Sequence, residues 1–282
     1  MHVLFAALNP ITRDVLVAIF KTRARALDML GRQQIAGIPT AISELFKNAH
    51  DAYADSVEVD FYRSDGLFLL RDDGIGMTQQ DFDSRWLTLG TESKLDAPSG
   101  LGLPPIDPRK RKRPVLGEKG IGRLAIGAIG PQVLVLTRAE RDGKFTDLTA
   151  AFLPWSLFQC PGIDLDQIEI PVKSFPGGTL PNRKDVDAMV GAVRKNVKSL
   201  AGCIGEDTAK RIDGELQRFT VDPEELDTSL GLPTLKGTGR GTHFYVLPTD
   251  PSLAAAIDEK TDDDSAPPLK KMLLGFTNTM TP

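Results

Sequence analysis

The N-terminal part of the chain carries apolar residues at helical spacing. Residues 11–30 fit one or two amphipathic helices, because their apolar positions are separated by Arg, Lys and other polar residues. Pro39 suits the first turn of the next helix, where a missing N–H group costs nothing. The apolar stripe of that helix consists of Ile42, Leu45, Phe46 and Ala49.

Strand spacing begins after this helix. Val57, Val59 and Phe61 alternate with polar residues, as in a half-buried strand. Residues 65–66 are an Asp-Gly hairpin signal, and the returning strand is predicted at 67–70. Further strands are predicted at 133–137 and 242–247, and short helices at 82–87, 121–130 and 269–276. Antiparallel strands interleaved with helices predict an α+β layered sandwich.

The same pattern divides the chain into segments. We expect an N-terminal helical segment at 1–30, a main domain at 31–250, and a linker with the start of a C-terminal helix at 251–282. Within the main domain, 78–116 loosens into a short helix and a Pro/Gly-rich loop. Residues 182–230 are predicted to be a helical insertion, with one apolar side formed by Val186, Met189, Val190, Val193 and Val197.

Composition narrows the class of protein. The 282 residues are 41% hydrophobic and 26% charged, which is ordinary for a globular domain, and the net charge of -4 gives no overall attraction to nucleic acid. Cys160 and Cys203 are too few for a disulfide framework or a cysteine zinc site. The start lacks a secretory signal, and no apolar run reaches bilayer length. We therefore expect a soluble, cytoplasmic protein with no membrane partner.

The first candidate site is the helical segment 44–52. Glu44, Asn48 and Asp51 are four and three residues apart, so they project from one helical face, away from the apolar stripe. A carboxylate there can orient and deprotonate a water, and an amide oxygen is a hard ligand for Mg²⁺. Taken alone, the segment also fits an amphipathic surface helix with solvated charges.

The second candidate site, residues 72–77, directly follows a predicted strand. Gly74 and Gly76 allow the backbone to turn sharply and to approach a flat ligand. Asp72, at the end of the strand, can accept a hydrogen bond from an exocyclic amine such as that of adenine. Taken alone, a simple glycine-rich turn would have the same residues.

The third candidate site, residues 117–125, leads into a predicted helix. Free backbone N–H groups at a helix start can bind phosphate, and Lys119 and Arg123 add positive charge. The segment is not a Walker A loop, because no Gly-Lys-Ser/Thr follows at the required spacing. It is not a dinucleotide-binding fingerprint either, because no βαβ unit surrounds it.

In this order, the three motifs resemble those of the GHKL ATPase superfamily: gyrase B-type topoisomerases, the ninety-kilodalton heat-shock chaperone, histidine kinases and MutL mismatch-repair proteins. Residues 44–52 resemble its N-box, 72–77 its first glycine box and 117–125 its second. Residues 239–242, before a strand, resemble the later Gly-Thr element. The resemblance covers roughly residues 27–247. It implies a Bergerat-type two-layer sandwich, with helices packed on a mixed, mostly antiparallel sheet and ATP between the layers.

The resemblance also implies a role for each matching residue. Glu44 resembles the general base, Asn48 the Mg²⁺ ligand and Asp72 the carboxylate that reads adenine. The residues implied to shape or support the nucleotide pocket are Asp51, Ala52, Gly74, Gly76, Met77 and Thr242. Those implied to bind the phosphates are Gly117, Lys119, Gly120, Ile121, Gly122 and Arg123. Asp73 stands where relatives often have Asn or Thr, and its role stays open.

The identity of residue 44 separates two activities of the superfamily. Histidine kinases usually carry Asn where this chain has Glu44, and they need a phospho-acceptor histidine on a preceding helix, where this chain has only His2. Because transfer to water needs an oriented nucleophile, ATP hydrolysis is expected. Two alternatives stay open: an ATP-sensing interaction module with negligible turnover, and a histidine-type protein kinase.

Within the superfamily, residues 90–94 followed by 117–123 look closest to bacterial MORC-like proteins. This similarity implies an ATP-dependent homodimer with a DNA or protein client. It also implies that 78–116 is a lid from which Lys94 reaches the phosphates. The family's usual transducer domain is not evident: either it begins near Leu269, within 251–282, or it was never present. The basic run at 109–113 is expected to be a solvated loop; weak contact with a nucleic-acid backbone is the alternative.

Overall fold

The computed structural model describes residues 20–89, 110–111, 113–116, 122–258 and 266–280. Predictions for residues 1–19, for much of 78–116 and for part of the linker at 251–282 lie outside the described residues.

Eight strands are present in the described residues. They are β1 (Val57–Tyr62), β2 (Leu67–Asp72), β3 (Gln132–Arg138), β4 (Glu140–Arg141), β5 (Lys144–Phe145), β6 (Leu148–Pro154), β7 (Val172–Phe175) and β8 (Gly241–Val246). Six of them form one sheet in the order β1-β2-β8-β3-β6-β7, and every neighbouring pair is antiparallel. β4 and β5 form a separate small hairpin. The four central strands are buried along their whole length.

Nine α-helical segments accompany the sheet in the described residues. They are α1 (Arg25–Leu30), α2 (Ile38–Asp51), α3 (Gln79–Asp81), α4 (Trp155–Phe158), α5 (Arg183–Ile204), α6 (Glu206–Gln217), α7 (Pro223–Leu226), α8 (Ser252–Asp258) and α9 (Pro268–Met280). Shorter helical turns lie at Arg32–Gln34, Phe82–Trp86, Gly122–Ala128, Leu165–Gln167 and Pro176–Gly178. The two long helices of the insertion, α5 and α6, are separated by Gly205, whose φ of 87° ends the first of them.

Alternation along the strands gives the sheet two distinct faces. The front face carries Asp72, Thr137, Thr242 and Val246, and the ladder places Thr137 directly opposite Thr242. Helix α2 contacts the turn Gly122–Ala128 and helices α8 and α9. Just beyond this turn, a Cβ at Gly130 would lie 2.6 Å from Cγ1 of Val246. The α2 layer therefore covers the front face.

The back face carries the opposite set of side chains and is also covered. Leu69, Leu134 and Phe152 lie in one row with Tyr245 across the central strands. The Phe219 ring meets the Phe152 ring edge-on at a centroid distance of 4.8 Å. Residue 219 follows α6, so part of the insertion packs on the sheet and adds a layer beyond the two that were expected.

The α+β class and the packing of helices on an antiparallel sheet are confirmed. The described sheet contains no parallel pair, so it is not mixed. The hydrophobic pattern of the sequence did not predict the strands β6 and β7 or the helix α8. For residues 20–24 the predicted helix at 11–30 is wrong. Arg23 forms a β-bridge with Asp164, and the Ala24 N–H donates to the Ile163 carbonyl at 3.1 Å.

None of the helices in the described residues is both long enough and apolar enough to cross a bilayer.

Candidate functional site

Helix α2 places the first motif at the edge of the front layer. Its buried side is formed by Ile38, Ala41, Ile42, Leu45 and Ala49. Glu44 and Asn48 are half-buried on the other side. Glu44 Oε1 accepts a hydrogen bond from Lys47 Nζ at 2.7 Å. A Cβ at Gly122 would lie only 2.6 Å from Glu44 Oε2, so the glycine lets the carboxylate border the second glycine motif.

Asp72 is the most strongly perturbed acid of the site. It is only 4% exposed, and its Oδ1 accepts hydrogen bonds from the Gly74 N–H at 2.9 Å and the Thr242 N–H at 3.2 Å. Burial raises the pKa of Asp72 to about 7, and these two donors oppose the rise. No donor of the described residues contacts Oδ2, which leaves that oxygen for a ligand.

A threonine pair joins this acid to the first glycine motif. Thr137 Oγ1 lies 3.1 Å from Thr242 Oγ1, donates to the Gly241 carbonyl at 2.9 Å, and accepts from the Met77 N–H at 2.9 Å. The half-buried Met77 packs against the core. Asp72 and Met77 of the first glycine motif are therefore held beside Thr242, which comes much later in the sequence.

Gly76 is where the first motif needs a glycine most clearly. Its φ is 60°, and a Cβ there would lie 1.9 Å from the Arg138 carbonyl oxygen, so no other residue fits without moving the backbone. The loop is also held from outside, because Arg141 donates to the carbonyls of Ile75 at 2.9 Å and Gly76 at 3.0 Å. Arg141 also pairs with Asp81 at 2.8 Å.

The end of α2 is tied to both glycine motifs. Asp51 Oδ1 accepts from the Leu116 N–H at 2.8 Å, which fixes the residue just before Gly117. The Ala52 carbonyl accepts from the Ile75 N–H at 2.8 Å.

Asp73, whose role the sequence left open, organises the turn that follows α2. Its Oδ1 accepts from the N–H groups of Asp55 at 2.7 Å and Ser56 at 2.9 Å. Asp73 therefore holds the turn, while its neighbour Asp72 is buried on the front face of the sheet.

The remaining predicted site residues fall into two groups. Arg123 donates to the Thr88 carbonyl at 2.5 Å, and burial lowers its pKa. The other group lies outside the described residues: Lys94, Gly117, Lys119, Gly120 and Ile121.

Sequence reasoning missed several residues that build this site. Thr137 ends an apolar strand, so a polar residue at that point was a usable signal. Arg141 and Lys47 had no such signal in the sequence, because single basic residues are common on helix and hairpin surfaces. Their importance comes from partners that only the fold supplies.

Residues 37–156, which include α2 and the first glycine motif, match the family described as histidine kinase-, DNA gyrase B-, and HSP90-like ATPase. The match supports the GHKL superfamily for this part of the chain. No curated protein matches the chain.

The matched range contains the N-box and both glycine boxes of the GHKL motif set. The Gly-Thr element at 239–242 lies beyond it. Its place beside the first glycine box rests on the hydrogen bonds from Thr242 to Asp72 and Thr137.

Proposed function

We propose that the chain binds ATP against the front face of the sheet and hydrolyses it, with Glu44 as the general base. The observation that carries the proposal is the contact between Glu44 and Gly122. It puts a carboxylate beside the backbone segment that, by resemblance, binds the phosphates. The GHKL match over residues 37–156 supports ATP binding independently of this contact.

The reaction follows from the positions of the acids. Asp72 Oδ2 accepts a hydrogen bond from the adenine amine, which orients the nucleotide. Lys47 holds Glu44 Oε1, so Oε2 is the oxygen that takes a proton from the attacking water. The water oxygen bonds to the γ-phosphorus as the bond to the bridging oxygen of ADP breaks, and ADP and phosphate are released.

The residues present also fit a magnesium ion. Asn48 offers a hard amide oxygen one helical turn from Glu44, and its side chain has no hydrogen-bond partner among the described residues. The described residues contain no cluster of three or more His, Cys, Asp or Glu side chains suited to a metal. That suits Mg²⁺, which is usually held by one or two protein ligands, phosphates and water. When bound, the ion neutralises charge on the phosphates.

The decisive test is Glu44→Gln, which keeps the shape of the side chain and removes the base. We expect ATP affinity in the presence of Mg²⁺ to be retained and steady-state phosphate release to fall by about 10²- to 10⁴-fold. Glu58→Gln is the matched control, because the same change is made on an exposed part of β1. Calorimetry and a phosphate-release assay, with and without DNA, provide the two readouts.

Other outcomes would favour the other functions. Full turnover in Glu44→Gln would remove the proposed base. Wild-type chain that binds ATP but releases no phosphate under any condition would indicate an ATP-sensing module. Acid-labile label on the protein after incubation with γ-labelled ATP would indicate a histidine-type kinase.

The cellular setting is proposed on the resemblance alone. MORC-like proteins imply that ATP drives lid closure and formation of a homodimer, in a DNA transaction or in defence against foreign DNA. Light scattering with and without a non-hydrolysable ATP analogue tests the dimer, which would appear only with nucleotide. The cytoplasmic location expected from the cysteine content stays a prediction.

A further inference from the structure

The basic run at 109–113 was predicted to be a solvated loop, but two of its residues are largely engaged by the protein. Lys110 Nζ donates to the Tyr53 carbonyl at 2.6 Å and pairs with Asp55 at 2.5 Å. Arg113 donates to the Ala54 carbonyl at 2.7 Å and pairs with Asp55 at 3.2 Å. Their side chains are only 20% and 27% exposed. We call Lys110 and Arg113 the basic clamp.

The clamp binds a turn in which one residue has a positive φ. Tyr53, two residues beyond α2, has a φ of 61°, which is uncommon for a residue other than glycine. The Arg113 guanidinium also lies 5.7 Å from the centre of the Tyr53 ring. Positive charge at the C-terminal end of a helix is favourable, because the last carbonyl groups carry partial negative charge. Arg113 also donates to the carbonyl of His50, in the last turn of α2, at 3.5 Å, so the clamp caps this helix.

The same contacts fix the approach to the second glycine motif. Arg113 lies three residues before Leu116, whose N–H donates to Asp51 at 2.8 Å. Leu116 directly precedes Gly117, and Gly122 borders Glu44. Leu116 and Gly122 therefore both lie against α2, Leu116 through Asp51 and Gly122 through Glu44.

The adenine end of the pocket does not depend on the clamp. Asp73 holds the same turn through the backbone N–H groups of Asp55 and Ser56, so that support survives when the clamp side chains are removed. Asp72 and Thr242 contact each other through atoms of β2 and β8. A change in the clamp should therefore act on the phosphate end alone.

We propose that Lys110 and Arg113 are positioning residues, which hold residues 113–116 at the end of α2 and so support binding of the phosphates of the nucleotide. This proposal rests on the proposed ATP binding. It gives the basic run a role inside the protein. Both cations already face carbonyls and a carboxylate, so they are poorly placed to meet the phosphates of a nucleic acid.

The experiment measures ATP and adenosine affinity of the double variant Lys110→Met/Arg113→Met by calorimetry with Mg²⁺. We expect ATP to bind at least about fivefold more weakly, the lower end of typical coupling between sites, while adenosine affinity is unchanged. Arg111→Met is the matched control, because Arg111 is exposed and has no hydrogen bond or ion pair with the described residues. The single variant Arg113→Lys should lose less ATP affinity than the double variant, because Lys110 and the positive charge at position 113 are kept.

Each remaining result counts against the clamp. Unchanged ATP affinity in the double variant would overturn it, and so would an equal loss of ATP and adenosine affinity, which indicates general damage to the fold. A loss in Arg111→Met as large as in the double variant would show that net charge is responsible, not the contacts. If the wild-type chain bound neither ligand, the proposed function itself would fail, and circular dichroism separates that result from unfolding.

Discussion

At the scale of single residues, the site separates two adjacent aspartates by environment. Asp73 is bound by two backbone N–H groups at a turn, whereas Asp72 is enclosed at the end of a central strand. Burial disfavours the charged form of a carboxyl group, and this raises the pKa of Asp72 to about 7. A ligand that donates a hydrogen bond to Oδ2 favours the ionised form, so binding and ionisation are linked.

This linkage gives a prediction for pH. In the proposed site the ionised carboxylate of Asp72 accepts the hydrogen bond from the adenine amine, so affinity for adenosine should fall as pH drops through 7. Adenosine is the better probe, because a terminal phosphate titrates near pH 6 itself, as in phosphoserine. We expect adenosine affinity to fall about tenfold between roughly pH 8 and pH 6, and Asp72→Asn to bind weakly with no such dependence. A flat profile in the wild-type chain would contradict the assignment.

At the scale of elements, the small β4–β5 hairpin supports the first glycine box from outside the sheet. Arg141 reaches from it to the carbonyls of Ile75 and Gly76 and to Asp81. Asp81 and Thr78 form the capping box that begins α3. The hairpin therefore fixes both the loop at Ile75 and Gly76 and the start of the helix that follows it.

Removal of this support should weaken adenine binding. For Arg141→Met we expect ATP and adenosine to lose affinity equally, by about tenfold, because charge-assisted hydrogen bonds to the loop are lost. This differs from the result expected for the double variant of the basic clamp, in which only ATP affinity should change. Lys144→Met is the control, since Lys144 is exposed on the same hairpin. Calorimetry with both ligands makes the comparison, and a loss confined to ATP would count against a role at the adenine end.

At the scale of the whole molecule, both faces of the sheet are covered, but by different parts of the chain. The front layer contains α2 and the helices α8 and α9, which contact it. The back face receives Phe219, and Arg71 donates to the carbonyls of Gly231 and Pro233 at 2.8 Å. The insertion and the residues directly after it therefore stabilise the sheet on the side away from the proposed ATP site.

Because the two faces of the sheet are covered by different parts of the chain, a substitution on the back face should lower stability without changing ATP affinity. Phe219 is 1% exposed, so Phe219→Ala should lower the free energy of unfolding by about 3–5 kcal/mol, as for other buried phenylalanines. Urea unfolding measures the loss. ATP affinity of the folded fraction should not change, because Phe219 lies on the back face. Phe219→Leu should cost less, and a large fall in ATP affinity in either variant would show that the two faces are coupled.

Much of the fold and of the candidate site could be predicted from local sequence. The strands of the β1–β2 hairpin, the helix α2 and the helices of the insertion all follow from apolar spacing. β6 and β7 were missed. β6 is buried on both faces, so its apolar run Leu148–Pro154 lacks the alternation that marks a half-buried strand. The helix expected over 20–24 failed because pairing with residues 163–165 outweighed local helix propensity.

Glu44, Asn48 and Asp72 could be singled out in advance, since motif spacing on one helix and one strand end is a local property. Their partners could not. That Thr242 meets Asp72, that Gly122 borders Glu44 and that Arg113 caps α2 depend on contacts between residues far apart in the chain. Such contacts arise only when the strands pair and the layers pack, because hydrogen bonds and burial act over a few ångströms of space, whatever the separation in sequence.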